Sequence, residues 1–283
     1  MQDSFATTSI ASIKHPIAIC ADDFGIEAGV DEAIVELSQL NRLSAASCLT
    51  MAPYFGEHAT ALKSLAIDIG LHVNFTEALG QQGLFLPHPK LITNAYLRQL
   101  PVSQVRKQIE QQLDAFELHI GRVPDFVDGH LHVHQLPVIR EQLISILSAR
   151  YSQDMPWVRN TQPGPLSNGL PLMQRFKAQV IGALGARSLS RQARQIGAQI
   201  NRDFFGAYDF SRPHPPYAAM LDAWLAQAQY GSLIMAHPAK YVSEQDLFGK
   251  GRVEEYRVLG SEVFAALLTQ HSLEIRKLSD LRL

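Results

Sequence analysis

Four short apolar runs in this chain each end on an acid or a histidine, and that repeated ending constrains the fold more than any other feature. Ile17-Ala18-Ile19-Cys20 runs into Ala21-Asp22-Asp23-Phe24-Gly25, and Ile67-Asp68-Ile69-Gly70-Leu71 ends on His72-Val73-Asn74. The run over 125–128 opens a histidine cluster, and Ser232-Leu233-Ile234-Met235-Ala236 ends on His237-Pro238. Short apolar runs bounded by polar residues and turns read as buried strands. Further strands are expected over 44–51, 155–159, 203–210 and 273–275. Helical spacing fills the gaps: Val30, Ile34 and Leu37 within 27–40, and Val105, Ile109, Leu113 and Phe116 within 103–118. Helices are also expected over 54–65, from Pro137 to 150, over 218–229 and over 253–269. Strands alternating with helices, without internal repeat, predict a parallel sheet covered by helices. Polar strand ends favour the (β/α) barrel, where catalytic side chains gather at the C-terminal edge. The expected fold is therefore α/β, an irregular TIM-like barrel of roughly six to eight strands.

The densest chemistry lies in Asp128-Gly129-His130-Leu131-His132-Val133-His134. Were this stretch extended, Asp128, His130, His132 and His134 would share one face, with Leu131 and Val133 behind them. Three imidazoles and a carboxylate cannot be packed dry without hydrogen bonds or a metal. Asp22 and Asp23 pose the same problem, because adjacent buried carboxylates repel one another unless a cation intervenes. Helix capping accounts for either acid, less well for both.

The 283 residues permit one large domain or two. We expect a single catalytic domain over 1–283, with a Ser/Thr/Ala-rich flexible leader over 1–15 and a helical insertion over 160–200. Arg187, Arg191 and Arg194 in that insertion read as a solvated helix face. The region 74–100, rich in Gly and Pro, reads as a functional loop. Net charge is −2, which points to neither nucleic acid nor an anionic membrane. No run is long enough to span a bilayer. Cys20 and Cys48 read as buried reduced thiols rather than ligands, and no secretion signal opens the sequence, so a cytoplasmic location is expected.

Two imidazoles and one carboxylate make a three-ligand site that leaves positions for water and substrate. A second aspartate is then free to take a proton from that water, and His237 is placed to protonate a leaving group.

These motifs, Ala21-Asp22-Asp23-Phe24-Gly25, Gly70-Leu71-His72-Val73-Asn74, Asp128-Gly129-His130-Leu131-His132-Val133-His134 and Ala236-His237-Pro238, resemble in order and spacing those of the YdjC-like carbohydrate deacetylases, the ChbG/HpnK group. The resemblance runs from about Ile17 to the C-terminus. It implies an irregular TIM-like barrel and metal-dependent hydrolysis of the acetyl group of an N-acetylated sugar, such as a chito-oligosaccharide or a hopanoid-linked N-acetylglucosamine. It implies one divalent ion, zinc or magnesium with cobalt or manganese as further options, held by Asp23, His72 and His130. By the same resemblance Asp22 is the general base and His237 the acid. Asp128, His132, His134, Asn74 and Arg159 become substrate-facing or ligand-supporting candidates, Arg159 either binding substrate or holding Asp22. A homodimer is one expected assembly. Two competing readings are another metal-dependent barrel hydrolase, a phosphoesterase or amidohydrolase, and a non-catalytic sugar-binding relative. Aspartates rather than a His-x-His pair on the first strand argue against the former, and Asp22, superfluous for binding alone, against the latter.

Overall fold

The computed structural model describes residues 14–165, 169–210, 214–243, 246 and 249–283. Of the leader expected over 1–15, residues 1–13 lie outside the described residues, and His15 already belongs to a strand. The strands are β1 (His15–Phe24), β2 (Ala45–Cys48), β3 (Asp68–Val73), β4 (Phe126–Gly129), β5 (Trp157–Val158), β6 (Phe204–Phe205), β7 (Leu233–Ala236) and β8 (Leu273–Ile275). The helices are α1 (Ala28–Gln39), α2 (Phe55–Leu62), α3 (His88–Tyr96), α4 (Val102–Ile120), α5 (Ile139–Arg150), α6 (Leu172–Ala183), α7 (Ala186–Gln195), α8 (Tyr217–Leu225), α9 (Gly249–Leu259) and α10 (Glu262–Gln270).

All strand pairs are parallel, in the order β5-β4-β3-β2-β1-β7-β6, with β8 alongside the first residues of β1. The sheet curls until its two edges meet through isolated bridges, Val158 with Ile200 and Pro163 with Phe204. This is an irregular TIM-like barrel, as the alternation of strands and helices predicts. β1 is its hub, pairing with β2, β7 and β8.

Period-2 alternation along the strands sorts their side chains into two layers. Ile17, Ile19, Leu71 and Val73 point outward and pack with helix residues such as Val30, Ile34 and Leu113. Ala18, Cys20, Phe126, Trp157, Phe204 and Met235 point inward and pack the lumen down to Leu278 and Leu281. Phe126 and Trp157 stack at 4.2 Å. Gly70 faces that stack, and a Cβ there would lie 2.5 Å from the Phe126 ring, so no larger residue fits. The lower lumen is thus filled mainly with apolar bulk, with Asp68 at its base accepting from Trp157 Nε1 and Ser279 Oγ, while the paired aspartates and the histidines gather at the C-terminal mouth.

Several boundaries differ from expectation. The strand expected across the histidine cluster stops at Gly129, and His130–Gln135 forms a 3₁₀ turn. The region 74–100 contains α3, whose proline-flanked start (Pro87 and Pro89) masks it as loop. The strand expected over 203–210 shrinks to Phe204–Phe205, because Gly206 turns the chain at φ 95° hard against the Met235 carbonyl. The long helix expected over 253–269 is two, α9 and α10, either side of Gly260. Arg187, Arg191 and Arg194 are exposed on α7.

Candidate active site

Asp22 and Asp23 stand at the end of β1, where the register with β2 slips between Ala21 and Phe24. The slip is made by Asp23, which takes the left-handed φ of 70°. Simple alternation would send Asp22 and Asp23 to opposite faces; the bulge brings both carboxylates to the mouth. A left-handed aspartate is a local strain of about 1 kcal/mol or more, tolerated where the surroundings fix it. Gly25 follows at φ 99°, and its N–H donates to Asp31 Oδ1 at 2.6 Å, clamping the turn to α1.

Asp23, His72 and His130 place one donor atom each within 4.8 Å of one another. Asp23 Oδ1 lies 2.9 Å from His130 Nδ1 and 3.5 Å from His72 Nε2. Its other oxygen, Oδ2, accepts from Arg252 Nη2 at 2.7 Å. Burial opposes the charge on Asp23, yet His130 and Arg252 outweigh it and hold the carboxyl well below the usual range. His72 is aimed from behind. Its Nδ1 lies 2.6 Å from Asp128 Oδ1 and 2.9 Å from Ser47 Oγ, and Ser47 donates to the same oxygen at 2.5 Å. With Nδ1 so engaged, Nε2 is the nitrogen turned toward Asp23, the orientation a ligating imidazole needs. Burial works against a charge on His72, but Asp128, Asp22 and Asp23 raise its pKa above the ordinary value.

Asp22 makes no such approach to the imidazoles. Arg159 Nη1 donates to its Oδ2 and Nη2 to its Oδ1, both at 2.6 Å, while Nη2 also lies 2.6 Å from Asp128 Oδ2. All three side chains are buried. Burial alone would raise the Asp128 carboxyl, but Arg159 and His72 depress it far below the usual range. Cys20, Asp22 and Asp128 also converge within 4.8 Å, but the Arg159 guanidinium lies among them and takes the place a cation would occupy. Of the two readings of Arg159, the structure shows the ion pair to Asp22.

His237 lies beyond β7 with its backbone N–H on the Glu255 carboxylate and, among the described residues, no partner for its Nδ1. Burial pushes its imidazole down to about 4, against the pull of Asp23 and Asp22. Glu255 also accepts from Tyr208 Oη at 2.7 Å, and burial pushes its carboxyl up to about 7.

The remaining candidates are not where an extended strand would put them. Leu131 and His132 both adopt left-handed angles, φ 50° and 60°, so the chain doubles back after His130. Leu131 swings outward to 43% exposure instead of packing behind the cluster. His132 packs edge-on against Phe204 at 5.3 Å, and burial, then Arg159, drives its pKa well down. His134 is fully buried, its Nε2 donating to the Arg159 carbonyl at 3.0 Å, and burial pushes it down to about 4. Gly129 is required beneath it, because a Cβ there would meet the His134 nitrogen at 2.8 Å. Asn74 spends its side chain on the loop that follows, accepting from the N–H groups of Thr76 and Glu77 and donating to the Glu77 carbonyl. Its backbone is pinned by Gln108 and Gln112 of α4.

Sequence reasoning missed Ser47, His88, Arg252 and Glu255. Ser47 was visible in principle as the polar member of Ala45-Ala46-Ser47-Cys48, and Arg252 and Glu255 as charged residues three apart on one helix. His88, at the start of α3, is half-buried, and burial and then His130 lower its pKa.

A barrel with an Asp–His–His trio at its strand ends, beside an arginine-clamped aspartate, falls in the class of (β/α)-barrel proteins whose mouth could hold a cation next to a second carboxylate. Within that class the chain belongs to the family described as YdjC-like protein, whose model matches residues 16–270. It is 26% identical to a human protein named carbohydrate deacetylase, over 94% of this chain and 90% of the relative. It is also 26% identical to a chitooligosaccharide deacetylase of Enterobacter sp. (strain 638), over 79% and 81% of the two chains. In fold it resembles a crystal structure from Enterococcus faecalis V583, titled for a proposed cellobiose-phosphate cleavage, with TM-score 0.66 and 17% identity over 95% and 100% of the two chains.

Proposed function

We propose that this protein is a metal-dependent carbohydrate N-deacetylase that acts as a single catalytic unit, with residues 160–200 an elaboration between β5 and β6. The observation that carries the reading is the division of labour within the Asp22–Asp23 pair. Asp23 turns one oxygen to two imidazoles and the other to Arg252, whereas both oxygens of Asp22 are taken by Arg159. The relatives named for deacetylation of carbohydrates and chito-oligosaccharides supply the substrate class.

Asp23, His72 and His130 would hold the ion, and two nitrogens with one carboxylate oxygen suit zinc, cobalt or manganese better than magnesium. A bound divalent ion would lower the pKa of a water and polarise the amide carbonyl. This chain's residues do the proton work. Asp22, fixed by Arg159 and retaining unused lone pairs, accepts the proton as water adds to the acetyl carbon. Arg159 and Asp128 hold that carboxylate in one orientation throughout. His237 is neutral at rest, so the proton it passes to the departing nitrogen is the one that water released to Asp22, relayed through its imidazole as negative charge develops beside it. Arg252 keeps Asp23 ionised and turned toward the imidazoles.

A two-metal phosphoesterase needs a second set of free donors. Among the described residues the other converging trio is Cys20, Asp22 and Asp128, which Arg159 already fills. The test is acetate release from N-acetylated mono- and oligosaccharides, with and without chelator. Acetate release that chelation abolishes and added metal restores supports the reading; no release from any such sugar overturns it.

A further inference from the structure

The chain-wide charge of −2 conceals a segment of opposite character. From Met155 to Arg202 there are seven arginines and lysines and not one Asp or Glu, so all 27 acidic residues lie elsewhere. Arg159 is buried in the candidate site, and most of the rest sit on α6 and α7. Arg187, Arg191 and Arg194 follow one another at helical spacing along the exposed side of α7, whose opposite side buries Ala186, Leu189, Ser190 and Ala193. Among the described residues none of these three arginines has an acidic partner within 4 Å.

Beside them α6 turns an apolar face to solvent. Leu172 is 78% exposed, Phe176 65%, Met173 56% and Val180 42%, while the only buried side chain of the helix is the polar Gln174. On a helical wheel these four residues fall on one side, together with Gln179 and Ala183. A helix packed for its own domain's sake would show the reverse pattern, apolar in and polar out. The two features form one surface, because Gln179 and Ala183 of the apolar side line a cleft of about 420 Å³ with Arg187 and Ser188.

We infer that α6 and α7 dock this protein onto an anionic phospholipid surface. Exposed Leu, Met, Phe and Val flanked by unpaired guanidinium groups match a bilayer interface, which offers acyl chains beneath a layer of phosphates. The acid-free segment would be drawn to such a surface, and the remainder of the chain, carrying every acid, would be turned away from it. A second copy fits less well, since a twofold contact through this face brings like-charged arginine rows together. The face is also wired to the site. Gln135, which ends the turn begun by His130, donates to the Ile181 carbonyl of α6 at 2.9 Å and accepts from Thr161 Oγ1 at 2.5 Å. The inference stands on surface chemistry and holds whatever reaction the barrel mouth performs.

The test is co-sedimentation of the full chain with phosphatidylcholine vesicles, with and without phosphatidylglycerol, at low and high salt. Binding is expected only where phosphatidylglycerol is present, and it should fall at high salt. The triple variant Arg187→Gln, Arg191→Gln, Arg194→Gln should weaken it roughly 100-fold. The double variant Leu172→Ser, Phe176→Ser should weaken it about tenfold or more. Circular dichroism and melting confirm that these surface variants remain folded. Wild-type protein left in the supernatant with both lipid mixtures overturns the inference, as does binding that neither variant weakens. Light scattering without lipid that shows a dimer, dissociated by Leu172→Ser, Phe176→Ser, also overturns it and assigns the face to a second copy.

Discussion

Arg159 grips Asp22 through both carboxylate oxygens at 2.6 Å and, with the same guanidinium, reaches Asp128 at 2.6 Å. One cation therefore fixes both the candidate base and the carboxylate that aims His72. Arg159→Lys keeps the charge but cannot reproduce the planar fork. It should retain metal, lose turnover by about 10²-fold or more, and melt at lower temperature. Metal analysis and acetate-release rates measured together check this; a lysine variant with wild-type turnover would show that the fork is not needed.

Asp22 and Asp23 should fail in different ways. Asp22→Asn preserves shape while removing basicity, so it should bind metal almost normally and turn over roughly 10²–10⁴-fold more slowly. Asp23→Asn should weaken metal binding, with activity partly restored by excess metal. If Asp22→Asn is the variant that loses metal, the assignment is reversed.

Asp128 acts on the trio through His72 Nδ1. Asp128→Asn should reduce metal affinity by about 10- to 100-fold, the range typical of groups that orient a ligating histidine. Calorimetric titration with zinc reads the effect directly, and an unchanged affinity would leave Asp128 a structural partner of Arg159 only.

His237→Ala should keep the metal and lose about 10²–10⁴-fold in turnover. A rate within a few-fold of wild type would hand the proton transfer to water.

Glu255 sets a pH dependence of stability. Burial raises its carboxyl from 4.5 to about 7 on folding. Below pH 4.5 both states are protonated and the group contributes nothing. Between the two values the unfolded chain releases a proton that the folded chain keeps, so stability falls as pH rises, and above 7 the full penalty persists. Glu255→Gln removes that dependence. Its stability relative to wild type should climb by up to about 3 kcal/mol across this window and then level off. Urea midpoints for both proteins at several pH values test this; a constant difference would mean that Glu255 does not titrate there.

The barrel was legible because apolar runs such as Ile17–Cys20 and Leu233–Ala236 announce buried strands, and because Asp22, His72, Asp128 and His237 interrupt them at the same end. Asp23, His72 and His130 could be brought together on paper for that reason, with the motif resemblance choosing among the histidines. The turn after Gly129 could not. Nothing local in Leu131-His132 requires left-handed angles, which are imposed by His134 bonding the Arg159 carbonyl and by His130 reaching Asp23. Arg252 and Glu255 could be seen as charged residues but given no role, for a related reason. They reach Asp23 and His237 across 229 and 18 residues of chain, and a charged residue on a helix reads as solvated until its partner is known. The acid-free run was in plain view but was lost in a whole-chain charge that sums to nearly zero.

β1 pairs with strands from both ends of the chain, and the carboxylates at its end take arginine partners 137 and 229 residues further on. A ribosome therefore emits Asp22 and Asp23 long before the cations that make their burial tolerable. Until β7 and α9 emerge, one edge of β1 has no neighbour and Asp23 has no guanidinium. The barrel mouth is a late assembly step, and the nascent chain must carry an unfinished hub, with its acids still in water, through most of its own synthesis.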